Sequence, residues 1–216
     1  MRVPVPYVAA LSSDLPPVED DLCVEVPRNG VPHIAYMKPR PGDRDAHGNL
    51  WGRVTRVPGG RILFEQMDPV RQRQCMEGLL CQVCARPAER EGGTLFIEWQ
   101  HADDRSMQLN RIRTDMPPLC PPCAALSLRH CSFLRRDQTV VLLRVRKSVP
   151  CGVAGTVYRV TPGLDQWIPS EFDIYSSYSK PRYPGMLSVR MLRKLNGVSV
   201  VDPDSLAAEL EGTPPL

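Results

Sequence analysis

Two stretches decide how this chain reads: Leu80-Cys81-Gln82-Val83-Cys84-Ala85 and, after 35 intervening residues, Cys120-Pro121-Pro122-Cys123-Ala124-Ala125-Leu126. A C-x-x-C pair on a tight turn brings two thiolates to one side of an ion, and two such pairs supply the four soft sulfurs that close a tetrahedral zinc shell at about 2.3 Å. The surroundings support that pattern. Leu80 to Ala85 reads as a knuckle, Thr94 to Trp99 as a strand by its β-branched and aromatic content, and Cys120 opens a helix with two prolines in its first turn. Knuckle, hairpin and ligand-bearing helix form a treble clef, so the expected fold class is α+β, with small antiparallel sheets around a treble-clef-like four-cysteine zinc module. The helix N-terminus is expected to favour the thiolates through its free N–H groups. Four thiolates leave no open position on the ion, so Zn2+ held by Cys81, Cys84, Cys120 and Cys123 would be structural.

The chain has 216 residues, enough for a buried core without staples, so its eight Cys require an explanation. Apolar residues at 42% and charged residues at 24% exclude a coiled coil and a wholly disordered chain. The strictly aliphatic run Val140 to Leu143 is far short of the roughly 20 residues of a spanning helix, so no membrane association is expected. Pro4 and Pro6 interrupt the region where an export signal would be apolar, which points to a cytoplasmic protein. There, thiols stay reduced, and paired cysteines read as metal ligands or redox groups before they read as disulfides.

Along the chain, residues 1–32 form an extended, acidic, Pro-rich arm and 33–74 a β-rich segment leading into a helix. Residues 75–135 are the zinc module, and 136–216 an α/β C-terminal segment packed on it. Short strands are expected at Leu22 to Val26, His33 to Met37, Leu50 to Val57 and Arg61 to Glu65, the last two joined as a hairpin by Pro58-Gly59-Gly60. Asp68-Pro69 is a helix start for Pro69 to Leu79. Helical periodicity covers Pro122 to Arg135, and Thr139 to Val145 pairs with Gly155 to Val160 through the Ser148 to Ala154 connection. Thr161 to Gly185 reads as a loop. Leu187 to Leu195 reads as a helix, Val198 to Val201 as a strand, and Pro203 to Leu210 as a short helix with Asp202 as cap.

The remaining cysteines separate by geometry. Cys131 lies eight residues beyond Cys123, about 12 Å along a helix, too far to bind the same ion. Cys75, six residues before Cys81, is a candidate substitute ligand, while Cys23 and Cys151 are isolated core or turn residues.

Two enzymatic alternatives share these residues. The order C-x-x-C, His101, Asn110, C-x-x-C, His130 matches that of HNH endonucleases, in which His101 would activate a water and His130 with Asp103 would hold a divalent ion on the leaving phosphate. Against it, Gln100 stands where that family has an acid or His, and His130 falls seven residues past Cys123, about two helical turns away. Cys120-Pro-Pro-Cys123 could instead be a thioredoxin-like thiol oxidoreductase pair, which calls for a buried apolar strand before it; Asp115-Met116-Pro117-Pro118 is not one.

Net charge is +3, too mild to mark a nucleic-acid binder by itself. It is unevenly spread: residues 1–27 carry −4, 28–74 carry +5, 75–131 carry −1 and 132–216 carry +3. Alternation in Leu143-Arg144-Val145-Arg146 puts Arg144 and Arg146 on one face of a strand, and with Arg159 they could follow a phosphate backbone or solvate a half-buried sheet. Tyr175, Tyr178 and Tyr183 interleave with Lys180 and Arg182, a composition suited to stacking on bases or to a protein interface.

The stretch from Cys81-Gln-Val-Cys84 to Met116-Pro-Pro-Leu-Cys120-Pro-Pro-Cys123-Ala-Ala-Leu-Ser-Leu-Arg-His-Cys131-Ser-Phe-Leu134 resembles uncharacterised zinc-knuckle proteins of actinomycetes and their phages. Their helix follows the pattern P-P-x-C-x-x-C-A-x-x-S-x-R-x-C-P-x-L. Ser132 stands where that pattern has Pro, and the likeness covers residues 75–135. The resemblance implies a bacterial or phage origin and a scaffold without an established activity. It also implies that Cys131 belongs to the module. The expected function is that of a non-enzymatic, zinc-stabilised protein that binds a macromolecular partner, protein or nucleic acid.

Overall fold

The computed structural model describes residues 4–14, 21–28, 30–99, 109, 112–131, 134, 140–163, 166–180, 183–202 and 206. It is a mixed α+β protein made mostly of sheet, with two helices among the described residues. No described helix is long and apolar enough to cross a membrane. The chain forms two compact units, each assembled from separated stretches: unit 1 is 1–9, 71–150 and 192–216, and unit 2 is 10–70 and 151–191. Strands β8 (Val140–Val160) and β10 (Met186–Val200) contribute to both, because the unit boundaries fall inside them.

In unit 1, β6 (Thr94–Trp99) pairs antiparallel with β8, from Thr94↔Val145 to Trp99↔Val140, and β7 (Arg113–Thr114) pairs antiparallel with β10. Alternation along these strands supplies two buried faces. Leu95, Ile97 and Leu142 point to a core that contains the paired cysteines, whereas Phe96, Leu143, Val145 and Leu195 build a second core with Leu79, Ile112 and Val198. Helix α1 (Pro69–Gly78), of which 71–78 belong to this unit, buries Gln72, Cys75 and Met76. The Gln72 side-chain amide donates to the Asp115 carbonyl at 2.7 Å. Arg193 is only 5% exposed and donates to the Met76 carbonyl near the C-terminal end of α1, where a cation is favoured, and to the Ser148 hydroxyl and carbonyl.

In unit 2, β2 (Leu22–Glu25) and β3 (His33–Tyr36) pair antiparallel, β4 (Leu50–Trp51) runs parallel to β10, and β9 (Trp167–Ser177) runs antiparallel to β8. Ile34, Tyr36, Leu50, Trp167 and Leu187 form its core. β8 and β10 approach closely here: a Cβ on Gly155 would lie 2.0 Å from the Leu187 carbonyl oxygen, so only glycine fits. The segment between β3 and β4 is fixed by Asp43, which pairs with Arg53 at 2.6 Å, and by Asp45, which accepts from the Asn49 backbone and the Trp51 indole.

The structure changes four local readings. Leu187 to Leu195 is strand, not helix. Leu187, Met191 and Leu195 recur every four residues, a spacing that satisfies a helical period, but pairing with β4, β7 and β8 overrides it. Thr139 to Val145 and Gly155 to Val160 are not two strands of a hairpin but one 21-residue strand. Pro150 and Gly152 look like turn residues; in fact β8 bonds β6 up to Val145 and β9 from Gly152, so Pro150 falls where those ladders require no N–H. The loop from Thr161 to Gly185 contains β9. Leu50 and Arg61 do not begin a hairpin, since β4 pairs with β10 and β5 (Ile62–Met67) with β1 (Ala9–Leu11). The Pro58-Gly59-Gly60 turn is instead held by the Ser13 hydroxyl, which donates to the carbonyls of Val57 and Gly59. The helix expected at Pro203 to Leu210 falls outside the described residues, Leu206 excepted.

Glu98 lies on β6 beside Thr114. Burial pushes its carboxyl up to about 7, against the Thr114 hydroxyl that donates to it, and the Asp115 charge adds to the rise. Between the unfolded value of about 4.3 and pH 7 the folded chain keeps a proton that the unfolded chain has lost, so stability falls as pH rises through that window. Glu98→Gln should flatten this slope and raise stability at pH 8 by about 1–3 kcal/mol, measured by urea unfolding at pH 5 and pH 8.

Candidate metal centre

The first cysteine pair sits on a tight reversal just after α1. Leu79, at φ 48°, takes the left-handed conformation that ends the helix, and Leu80 N–H returns to the Cys75 carbonyl at 2.9 Å. Leu80 and Pro87 form a bridge, Cys81 N–H donates to Arg86 O at 2.7 Å, and Ala85 N–H donates to Cys81 O at 2.8 Å. Ala85 at φ 58° turns the chain back, a left-handed position where a side chain costs free energy. The knuckle closes on itself with both sulfurs on one side.

The second pair is delivered by the segment before α2 (Pro121–His130). Leu119 N–H donates to Leu95 O at 2.9 Å, which registers this segment against β6. Gln82 then joins the two pairs: its backbone N–H donates to Pro118 O at 2.9 Å and its side-chain amide to Pro117 O at 2.8 Å. Cys120 is the N-cap of α2, with Pro at the first positions. This corrects one expectation. Pro121 and Pro122 have no N–H, so the first turn gives the sulfurs fewer amide donors than an ordinary helix start would.

All four sulfurs, those of Cys81, Cys84, Cys120 and Cys123, lie within 4.8 Å of one another, and Cys84 Sγ to Cys120 Sγ is 3.8 Å. That is nearly twice a disulfide bond of about 2.05 Å. It equals the edge of a tetrahedron whose centre is about 2.3 Å from each corner, which comes to roughly 3.8 Å. The donor set and its spacing therefore fit a tetrahedral thiophilic ion such as zinc. Cys81 and Cys123 are fully buried and Cys120 is 3% exposed, so Cys84 is the most accessible sulfur of the four. The nearby Cys84, Cys120 and Cys123 sulfurs push the Arg86 guanidinium up, so a cation stands beside the cluster. Hydrogen bonds from the Cys120 and Cys123 thiols pull Cys81 down, while Cys123 is pushed up by its bonds to Cys120 and Cys81 and by burial. Four thiols this close cannot all ionise unless a cation joins them.

The shell around the sulfurs is apolar: Val83, Ala88, Leu95, Ile97, Leu119, Ala124 and Leu142, with Trp99 and Leu128 packed against it. The N-terminal segment adds a strap that its proline-rich sequence does not announce. Tyr7 and Val8 donate backbone N–H groups to the carbonyls of Val83 and Gln82, both at 3.1 Å. Arg71 holds the strap in place by donating to the carbonyls of Tyr7 and Ala9, and the Tyr7 hydroxyl donates to Gln74.

Cys75 stands outside the cluster. It is fully buried, burial pushes its thiol up to about 12, and its S–H donates to the Cys81 carbonyl at 3.9 Å, so it supports the knuckle backbone. Cys131 caps the other end of α2, its N–H donating to Ser127 O at 2.8 Å. None of the eight cysteines forms a disulfide. His130 is exposed at the C-terminal end of α2, whereas His101, Asp103 and Asn110 lie outside the described residues. Arg144 is half-buried and Arg146 exposed in unit 1; Arg159 is exposed in unit 2, 3.4 Å from Glu171. Tyr178 stacks on His47 with ring centroids 3.8 Å apart, and the Tyr175 hydroxyl donates to Cys151 O.

Cys75→Ala should leave binding of a divalent ion at the four sulfurs stoichiometric while lowering stability by about 1 kcal/mol, through loss of a buried sulfur and its weak bond. Metal titration and urea unfolding of the one variant read the two effects separately; a lost metal equivalent would make Cys75 a ligand. The chain matches no protein-family model, no curated protein and no solved structure, so the centre is read from its own chemistry.

Proposed function

We propose that this chain is a non-enzymatic protein whose cysteine module is a treble clef stabilised by one structural zinc ion, and that it binds a macromolecular partner. The observation that carries the zinc reading is the packing of four sulfurs within 4.8 Å, with a 3.8 Å edge, in an apolar pocket. Cys81 and Cys84 are the knuckle ligands; Cys120 and Cys123 are the ligands at the start of α2. Zinc is favoured over hard cations because every donor is a thiolate, and over a catalytic role because four thiolates complete its shell. The order of knuckle, β6 and ligand-bearing α2 supports the treble clef. A filled, buried ion leaves the module's outer surfaces to act, and the fitting activity is binding.

Purified protein should contain about one zinc per chain. Cys84→Ser should remove it together with most of the cooperative unfolding transition, because metal-binding free energy is folding free energy in a module of this kind. Elemental analysis with circular dichroism checks both; a metal-free chain that unfolds cooperatively would refute the reading.

A further inference from the structure

The four strands of unit 1 carry an asymmetric charge pattern. Among the described residues of β6, β7, β8 up to Pro150 and β10 from Leu192, every exposed charged side chain is a cation: Arg113, Arg146, Lys147 and Lys194, with Arg144 half-buried beside them. The one acidic residue on these strands, Glu98, is itself partly buried. Counted over the sequence, unit 1 has sixteen basic and twelve acidic residues, and unit 2 eleven and twelve, so the chain's excess positive charge belongs to unit 1.

The cations are placed by the fold. Arg113 and Lys194 stand directly opposite each other in the β7–β10 register. Directly opposite residues share a face of the sheet, so both cations project to the same side. A Cβ on Gly197 would stand 3.0–3.3 Å from three carbons of the Arg146 side chain, and one on Gly92 would stand 3.4 Å from Arg144 Nη1. Gly197 thus lets the Arg146 stem lie close on the neighbouring backbone, while the Arg144 guanidinium reaches Gly92 at ordinary contact distance. Arg146, Lys147 and Lys194 make no ion pair among the described residues. Glu89 and Glu91 line a shallow depression at the Gly92–Gly93 turn with Arg90 and Arg146, so that end of the cationic track carries charge of both signs.

We infer that this face binds the phosphodiester backbone of a nucleic acid. Arg144 and Arg146 share one face of β8 about 7 Å apart, at roughly 3.3 Å per residue, while alternation turns Lys147 to the other face; a duplex presents one phosphate per 3.4 Å of rise on each strand, so the two arginines meet about two phosphates. Contacts of this kind position a backbone and read no sequence. The inference rests on the reading that the chain binds a macromolecule, and it names the class.

The test uses the full zinc-loaded chain with a fluorescein-labelled 20-nucleotide single strand, the corresponding 20-base-pair duplex, and poly-L-glutamate of similar charge. Both nucleic acids should bind. Duplex affinity should fall about tenfold between 50 and 200 mM salt for every two phosphates neutralised, and the salt slope should be shallower for the single strand. Arg146→Gln with Lys194→Gln should weaken binding about tenfold or more at 50 mM salt and lower the slope by about two, with zinc content and unfolding midpoint unchanged. Salt-independent affinity, an unaffected double variant, or equal affinity for poly-L-glutamate would each overturn the proposal. Zinc content in the same samples separates the two readings: absent binding with one zinc per chain sinks only the nucleic-acid assignment, and tight salt-dependent binding by a metal-free folded chain sinks only the zinc assignment.

Discussion

Four sulfurs crowded within 4.8 Å, three of them in an almost dry pocket, impose the condition that the rest of unit 1 has to meet. Four thiolates that close repel one another by several kcal/mol, and four neutral thiols would attract one another only weakly. A divalent ion at the centre, as proposed, would turn that repulsion into attraction. The backbone around the cluster then has one task, to present sulfurs rather than to pack. This accounts for backbone features that would be unfavourable in an ordinary core, such as left-handed Leu79 and Ala85.

That arrangement also assigns work to neighbouring elements. Gln82 joins the two cysteine pairs through carbonyls that the prolines leave free, and the strap at Tyr7 and Val8 covers the knuckle. β6 stands between the cysteine cluster and the second core: Leu95 and Ile97 pack towards the sulfurs, and Phe96 packs away from them. With both faces of the sheet buried, exposed charge collects where the strands of unit 1 leave their cores, and that charge is cationic. The stabilising centre and the proposed binding face are different parts of one small unit, so a change to either can be read without the other.

The cysteine cluster was legible in the sequence because ligand spacing is a local signal: two C-x-x-C pairs, a turn and a helix start suffice. So were α1, α2, β2, β3 and β6, each bounded by turn or capping residues. The long strands were not. β8 contains Pro150 and Gly152, which punctuate a chain in isolation, but Pro150 lies between the β6 and β9 ladders and Gly152 pairs with Ser177, and β10 carries leucines and methionines at a helical spacing. In both, partners distant in sequence decide the conformation. Buried Arg193 had no signal either, since an arginine that donates to a carbonyl of a distant helix looks in sequence like any solvated one. The helix-start argument for thiolate stabilisation holds in part: Pro121 and Pro122 offer no N–H, and the Cys123 amide reaches the Cys120 sulfur.

The account turns on what the four sulfurs hold, and X-ray absorption at the zinc edge of the purified protein examines that most directly. Four sulfur scatterers at about 2.3 Å, with no nitrogen or oxygen in the first shell, is the predicted result. Zinc bound by mixed nitrogen or oxygen ligands, or a folded protein whose Cys81, Cys84, Cys120 and Cys123 all remain free thiols, would contradict it.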